Sequence, residues 1–483
     1  MQADLKLKTN LIGLCGLLML LPGFARAEFR ISSPVQQADL QSVSPVLSLQ
    51  DCAAPRGKEV PIFRAFVDGD LVSSQILPAR ERVATQWWLQ VQIPEDLDSE
   101  GRHRITLEAI CGDSLKTDTL EFSWRTRGAV QTAVGLARHF RVLNRSDLAP
   151  WSSAMGGLAW GLDALRAYVS AVDGAELSDW LTGYHRGWER KPEKDRRIHL
   201  PGELLPGLSA LSLAYEGGLV PARERLRDLI WFLKITPLNE IGALDRWGSS
   251  PLAWGRAHGI SAQDLLPVSV FAAQAGVRMA DRELQEFAFN QPEIYRSKLQ
   301  DSKTGLYHQV WLEALDRPQN DGSGFSLRVN GQVLMGLVSL VEWMPASDQR
   351  SFEVSQMARE LAEKLAPLQL PSGGFPLGVG SRYATVEEIS STAWVAAALA
   401  RGVRLGVLPP VFLEPARRAW DYISSRVTDI TPEGVASQSR YSLDRMARLS
   451  ALPDRREVFE KDAPQGLGPV FLLVSELAAL GGF

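Results

Sequence analysis

The hydrophobic pattern of this chain changes period once, near Arg127-Gly128, and that change confines it to an architecture in which strands come first and helices follow. Before the switch the period is two. Trp87, Leu89, Val91 and Ile93 line one face while Gln90 and Gln92 point away; Ile105, Leu107, Ala109 and Cys111 repeat the pattern, as do Leu120, Phe122 and Trp124. Turn residues separate these runs at Asp68-Gly69-Asp70, at 94–101 and at Gly112-Asp113. The pattern predicts a small antiparallel, immunoglobulin-like β-sandwich over 28–126.

From 127 to 483 the spacing is helical. Leu226, Leu229, Ile230 and Leu233 fall on one face behind Pro221, a residue suited to a first turn. The same logic predicts helices across 155–171, 265–275, 333–341, 354–365 and 470–480. One more is expected over 394–405, with Thr385 and Glu388 as a capping box and Gly406 with Pro409 as the stop. About a dozen helices in pairs suit a closed ring of helical hairpins, an (α/α)6 barrel, with short turns on one rim and long loops on the other. The long loops run over 237–259, 315–324, 368–386 and 428–464.

The first residues predict a secretory signal over 1–27. Lys6 and Lys8 precede an apolar run over 11–21, and Ala25-Arg26-Ala27 offers a small-residue cleavage site. A retained anchor would need a longer apolar run. The mature chain is therefore expected to be periplasmic or secreted, with no membrane contact after cleavage. In an oxidising compartment Cys52 and Cys111 would pair as a disulfide; two buried thiols are the alternative. A net charge of −4 and the absence of basic runs give no reason to expect nucleic acid. No phosphate loop, thiolate zinc pattern or dinucleotide fingerprint occurs, so no metal or nucleotide cofactor is expected. The oligomeric state is not legible in the sequence.

Three segments carry the chemistry. They are Gly305-Leu306-Tyr307-His308, then Phe325-Ser326-Leu327-Arg328-Val329-Asn330-Gly331, then Glu387 to Ala393 running into Ala400-Arg401-Gly402-Val403-Arg404-Leu405-Gly406. The loop at 237–259 adds Asp245, Arg246, Trp247, Trp254, Arg256 and His258, and the loop at 368–386 adds Arg382 and Tyr383. Tryptophan faces stack on pyranose rings and guanidinium forks grip carboxylates, so this mixture suits an anionic sugar.

In these segments the chain resembles the unsaturated uronyl hydrolases, also called unsaturated glucuronyl or rhamnogalacturonyl hydrolases, over roughly 129–480. The resemblance implies an (α/α)6 barrel that removes a 4,5-unsaturated uronic acid from the non-reducing end of acidic oligosaccharides made by lyases. The sugar there is a vinyl ether: protonation at carbon four makes an oxocarbenium ion at carbon five, water adds, and the hemiketal opens and expels the remainder. By resemblance the proton donor is Asp264. Read from the residues alone, Ser261 and Asp264 are a capping box, so a helix cap stands beside the catalytic reading. A helix start also lowers a carboxyl pKa, whereas a general acid needs it raised by burial.

The resemblance further places His308, Arg328 and Asn330 in the uronate subsite, with Arg328 as carboxylate partner. A packed loop histidine and a helix-end ion pair are the alternatives for His308 and Arg328. Trp247, Trp254, His258, Arg382 and Tyr383 would complete the substrate cleft, and Glu203 is the nearest counterpart of an earlier family aspartate unless it is a first-turn glutamate. Glu388 and the segment from Gln465 to Glu476 match the family as structural parts. The departures are Phe325 and Gln332 in place of two signature tryptophans, and the absence of a tryptophan before Asp264. Two other readings stay open: a polysaccharide lyase or epimerase on the same fold, using Tyr307, Tyr383, His258 or His308 as base, and a non-catalytic exported carbohydrate-binding protein, toward which the missing tryptophans point.

Overall fold

The computed structural model describes residues 30–33, 42–43, 46–48, 62–72, 74–77, 86–92, 101–111, 114–124, 128–215, 219–320, 324–380, 383–430, 441–443, 446–448 and 458–481. The signal segment, Cys52 and hence the expected disulfide, and Arg382 lie outside them. The chain divides into two compact units, Met1–Thr126 and Arg127–Phe483.

In the first unit the described strands form two antiparallel sheets. One runs in the order Asp70–Val72, Ile62–Val67, Gly101–Cys111, Ser114–Trp124; the other joins Arg30–Ser33, Val46–Ser48, Gln86–Gln92 and Ser42–Val43, with Ser74–Leu77 also on Gln86–Gln92. Ala65 faces Leu107 across the first sheet, and both are buried with Val67 and Ala109, so the period of two buries one face. The expected turn at Asp68-Gly69 is present, with both residues at positive φ (51° and 99°), the twist a two-residue hairpin needs.

The second unit is built from α1 (Ala129–Leu143), α2 (Ser153–Leu165), α3 (Ala171–Glu189), α4 (Glu193–Arg196), α5 (Gly207–Tyr215), α6 (Val220–Ile235), α7 (Phe271–Met279), α8 (Arg282–Leu299), α9 (Leu327–Val341), α10 (Gln349–Leu365), α11 (Ile389–Arg404), α12 (Leu413–Ser424) and α13 (Pro464–Ala479). Helices α2, α5 and α7 touch in turn, as do α9, α11 and α13; the turn Leu266–Val270 that leads into α7 packs on α9, and α13 returns to α2, closing an inner ring. Helices α3, α6, α8, α10 and α12 each back onto the inner helix that precedes or follows them, and α1 packs on α13. This is the (α/α)6 arrangement.

Sequence decides which layer a helix joins. Outer α10 buries Val354, Met357, Ala358, Leu361, Ala362 and Leu365, one stripe at helical spacing, and leaves its other faces polar. Inner α11 is buried at every position from Ile389 to Gly402. The seam between α2 and α13 closes on glycine: a Cβ on Gly468 would lie 2.5 Å from the Gly157 carbonyl carbon, so a larger residue would push the two helices apart.

Helix boundaries move in two places. Glu388, and not Thr385, is the cap of α11; its extended backbone lets the carboxylate accept from Ser390 N at 2.9 Å and Ser391 N at 2.6 Å. The helix expected over 265–275 is broken into a 3-10 turn at Ala262–Asp264, a π-helical turn at Leu266–Val270, and then α7. Pro267 within that π turn lacks an N–H, which explains why the regular ladder is not kept there.

Candidate active site

Every inner helix starts on the same rim, and the long connections lead into those starts. The segments 236–265, 300–326, 366–388 and 425–463 enter at this rim, whereas the returns 166–170, 280–281 and 405–412 are short. Small sheets tie the long segments together. Gly259–Ser261 pairs with Val310–Leu312, which pairs with Arg317–Gln319, and Phe325–Ser326 pairs with Gly378–Val379. The Ser261 end of the first pairing delivers Ala262 to Gln309, whose carbonyl accepts from Ala262 N at 2.9 Å. Asp264 is thus fixed beside the loop that carries His308.

Asp264 is 6% exposed. Its 3-10 turn packs on α9, and the place a Cβ on Gly202 would occupy lies 3.7 Å from its Oδ1, which sets the carboxyl against the turn Pro201–Leu204. Ser261 makes no side-chain cap bond, so the capping-box geometry is not formed. Burial pushes the Asp264 carboxyl up to about 7; the Arg246 guanidinium opposes this, and the Asp245 carboxylate adds to it. Burial therefore outweighs the helix start. Trp254, 94% exposed, takes no part in that burial.

Arg246 is one of the loop arginines suited to an anionic sugar, and nothing in the sequence ties it to Asp264. The structure puts its charge in reach of Asp264 and its guanidinium 5.0 Å from the Trp247 ring centre. No motif marks it, because the pair is made by a loop that folds back on a sheet. Asp245 shapes that loop: its carboxylate accepts from Trp247 N and Gly259 N, both at 2.8 Å, and stands 3.2 Å from His258 Nδ1. Trp247 is half-buried between Arg246 and Arg256, with its indole N–H donating to Ala257 O at 3.1 Å. His258 is exposed on the same loop.

His308 is half-buried, its Nδ1 3.1 Å from Asn320 Nδ2, its Nε2 3.8 Å from Asp301 Oδ2, and its ring 4.8 Å from Phe325. Arg328 sits in the first turn of α9, half-buried, and among the described residues it has no hydrogen-bond or ion-pair partner. Among the described residues the helix-end salt bridge considered for it is not made.

Three of the residues expected at the substrate have engagements within the protein. Asn330 is fully buried and its amide is committed to Tyr307 N, Tyr307 O and Ser326 O, so it builds the loop and does not face a ligand. Glu203 accepts from His199 N at 2.7 Å and Leu200 N at 3.0 Å, the first-turn role. Tyr383 is buried with Leu377 and Val386. Among the described residues no group of three or more His, Cys, Asp or Glu gathers as a metal site would.

The family model Glycosyl Hydrolase Family 88 matches residues 246–477. Among solved structures the chain is similar to a family 105 glycoside hydrolase from C. acetobutylicum ATCC 824, at 18% identity and TM-score 0.62 over 72% of this chain and 99% of that one. It is similar to an unsaturated glucuronyl hydrolase, responsible for the degradation of glycosaminoglycan, from Bacillus sp. GL1, at 12% identity and TM-score 0.57 over 73% and 96% of the two chains. A structure described as a polysaccharide lyase shares 18% identity and TM-score 0.54 over 74% and 98%. No curated protein matches the chain by sequence. The family match over residues 246–477 agrees with the resemblance read from the sequence, and the solved structures share the fold of the helical unit.

Proposed function

We propose that this protein is a hydrolase of unsaturated uronides, taking a 4,5-unsaturated uronic acid from the non-reducing end of acidic oligosaccharides such as those lyases release from glycosaminoglycans. The observation that carries this reading is a buried carboxyl at the loop-bearing rim, Asp264, which burial raises to about 7 so that about half of it keeps its proton at neutral pH, with Arg246 acting on it. Asp264 gives its proton to carbon four of the ring. The ring oxygen stabilises the cation at carbon five, water adds there and returns a proton to Asp264, and the hemiketal opens to release the aglycone. Arg328 and Arg246 grip the uronate carboxylate, and Trp247 and the exposed Trp254 offer faces to the sugar rings.

In this reading residues 1–27 are removed on export to the periplasm or beyond, 28–126 fold as a β-sandwich braced by a Cys52–Cys111 disulfide, and 127–483 are the catalytic barrel. Incubation with lyase-generated unsaturated disaccharides should bleach the ultraviolet absorbance of the conjugated double bond, and Asp264→Asn should abolish the bleaching. The likeness to a polysaccharide lyase keeps one rival in play. That rival predicts rising absorbance on intact polymer, and it needs a tyrosine or histidine base; Tyr307, one of the candidates, is fully buried and burial pushes its phenol far up. A carbohydrate-binding protein without catalysis would gain thermal stability with ligand and change no absorbance.

A further inference from the structure

Tyr295 has no role in the reaction as derived above, yet it is a buried polar group beside the turn that carries Asp264. It projects from outer helix α8, which packs on the π turn Leu266–Val270 that Asp264 leads into. The side chain is 0% exposed and its hydroxyl has no hydrogen-bond partner. A buried phenol without a partner is costly to keep, and phenylalanine would fill the same space without that cost. Asp264 is its complement: a buried carboxyl to which none of the described residues donates a hydrogen bond. The π turn on which α8 packs starts two residues after Asp264, and Leu299, one turn on from Tyr295, accepts from His308 N at 2.8 Å, so this part of α8 lies against the site; burial first and the Asp264 charge second hold the phenol protonated.

A general acid in a dry site meets its difficulty after it has acted. Once the proton has left, an anion stands where burial penalises it, and a donor waiting there lowers the barrier to reaching that state. We infer that Tyr295 is a positioning residue of the site, its hydroxyl turning to donate to the Asp264 carboxylate, directly or through one water, when that carboxylate has given up its proton. The inference rests on Asp264 as the proton donor and deepens that reading. The other charged groups facing Asp264 do not duplicate this donor. Arg246 and Asp245 act on it through space from the 236–258 loop, Glu203 on the neighbouring turn is engaged by the His199 and Leu200 amides, and Arg328 on α9 stands at the rim.

The test compares pH–rate profiles of the wild type and Tyr295→Phe on an unsaturated disaccharide. Loss of a donor to the anion raises the acid's pKa, so the alkaline limb should move up by about one pH unit while kcat falls about tenfold and KM changes little. A 3-fluorotyrosine installed at position 295, a stronger donor of nearly the same shape, should move the limb the other way. An unmoved limb in both proteins overturns the inference. Should the wild type fail to bleach the substrate, the functional reading falls, and the pair is judged from the carbon-13 carboxyl signal assigned by its loss in Asp264→Asn. A titration unchanged by Tyr295→Phe then overturns the inference, and one displaced upward sustains the pairing.

Discussion

The Asn330 side chain holds the Tyr307 peptide from both sides: its Oδ1 accepts from Tyr307 N at 2.7 Å, and its Nδ2 donates to Tyr307 O at 3.0 Å. Nδ2 also donates to Ser326 O at 3.0 Å, so one amide joins the 305–308 loop to the first turn of α9. That loop carries His308 and that turn carries Arg328. Asn330→Ala would leave buried backbone groups without partners, each worth about 1–3 kcal/mol. We expect a loss of about 2–4 kcal/mol in urea unfolding and a weakened uronate site in the folded fraction. Unfolding free energy within 1 kcal/mol of wild type would show that the loop is held by other contacts.

Asp264 should make both activity and stability depend on pH. Its folded-state pKa, about 7, lies above the ordinary aspartate value of 3.8, so between these values the folded chain binds a proton that the unfolded chain does not. Stability therefore falls as pH rises from about 4 to about 7 and levels off above that, by an amount on the order of 4 kcal/mol. The general acid is lost over the upper part of the same window, so kcat/KM should drop as pH passes about 7. Asp264→Asn should flatten that part of the stability curve, which melting at a series of pH values would read.

At the opposite rim Glu476 of α13 accepts from Arg401 Nη1 at 2.6 Å and from Arg404 Nε, and Arg401 reaches Glu342 at 2.6 Å. Three inner-helix ends meet in this cluster, and Glu476 and Arg401 are buried. Glu476→Gln would remove the carboxylate that Arg401 and Arg404 share and leave Arg401 with Glu342 alone, at about 3 kcal/mol, the lower end for a broken buried pair. Because the cluster is remote from the rim where the long loops converge, KM should be unchanged at temperatures where the variant is folded. A raised KM in fully folded protein would mean that the barrel transmits the change along its axis.

The sequence made the architecture legible because two periods, two and helical, are set by backbone geometry and imposed on every buried face. The rim was legible for the same reason: loops too long for a hairpin turn stand out between periodic runs. What stayed hidden depends on how distant loops cross. The pattern Thr385-x-x-Glu388 fits a capping box, but a glutamate can also be the cap, and only the extended backbone at Glu388 decides it. Asn330 reads as a polar side chain beside Arg328; that it is spent on Tyr307 follows from the fold of a loop far upstream. Arg246 reaches Asp264 through the pairing of 259–261 with 310–312, and Tyr295 through an outer helix, so neither carries a local signal.

Arg328 offers the sharpest separation of binding from stability. The residue is half-buried in the first turn of α9 and, among the described residues, has no partner of its own. Like charge near a helix N-terminus is unfavourable, by about 0.3–1 kcal/mol at an exposed site, so Arg328→Ala should leave the melting temperature unchanged or slightly raised. The same change removes a two-point grip on the substrate carboxylate, and we expect KM to rise at least tenfold, since a charged hydrogen bond is worth about 1.5–3 kcal/mol. Arg328→Lys keeps the charge but not the fork, and should recover only part of the loss. Equal KM in the wild type and Arg328→Ala would remove Arg328 from the uronate subsite and leave Arg246 as the cation that holds the carboxylate.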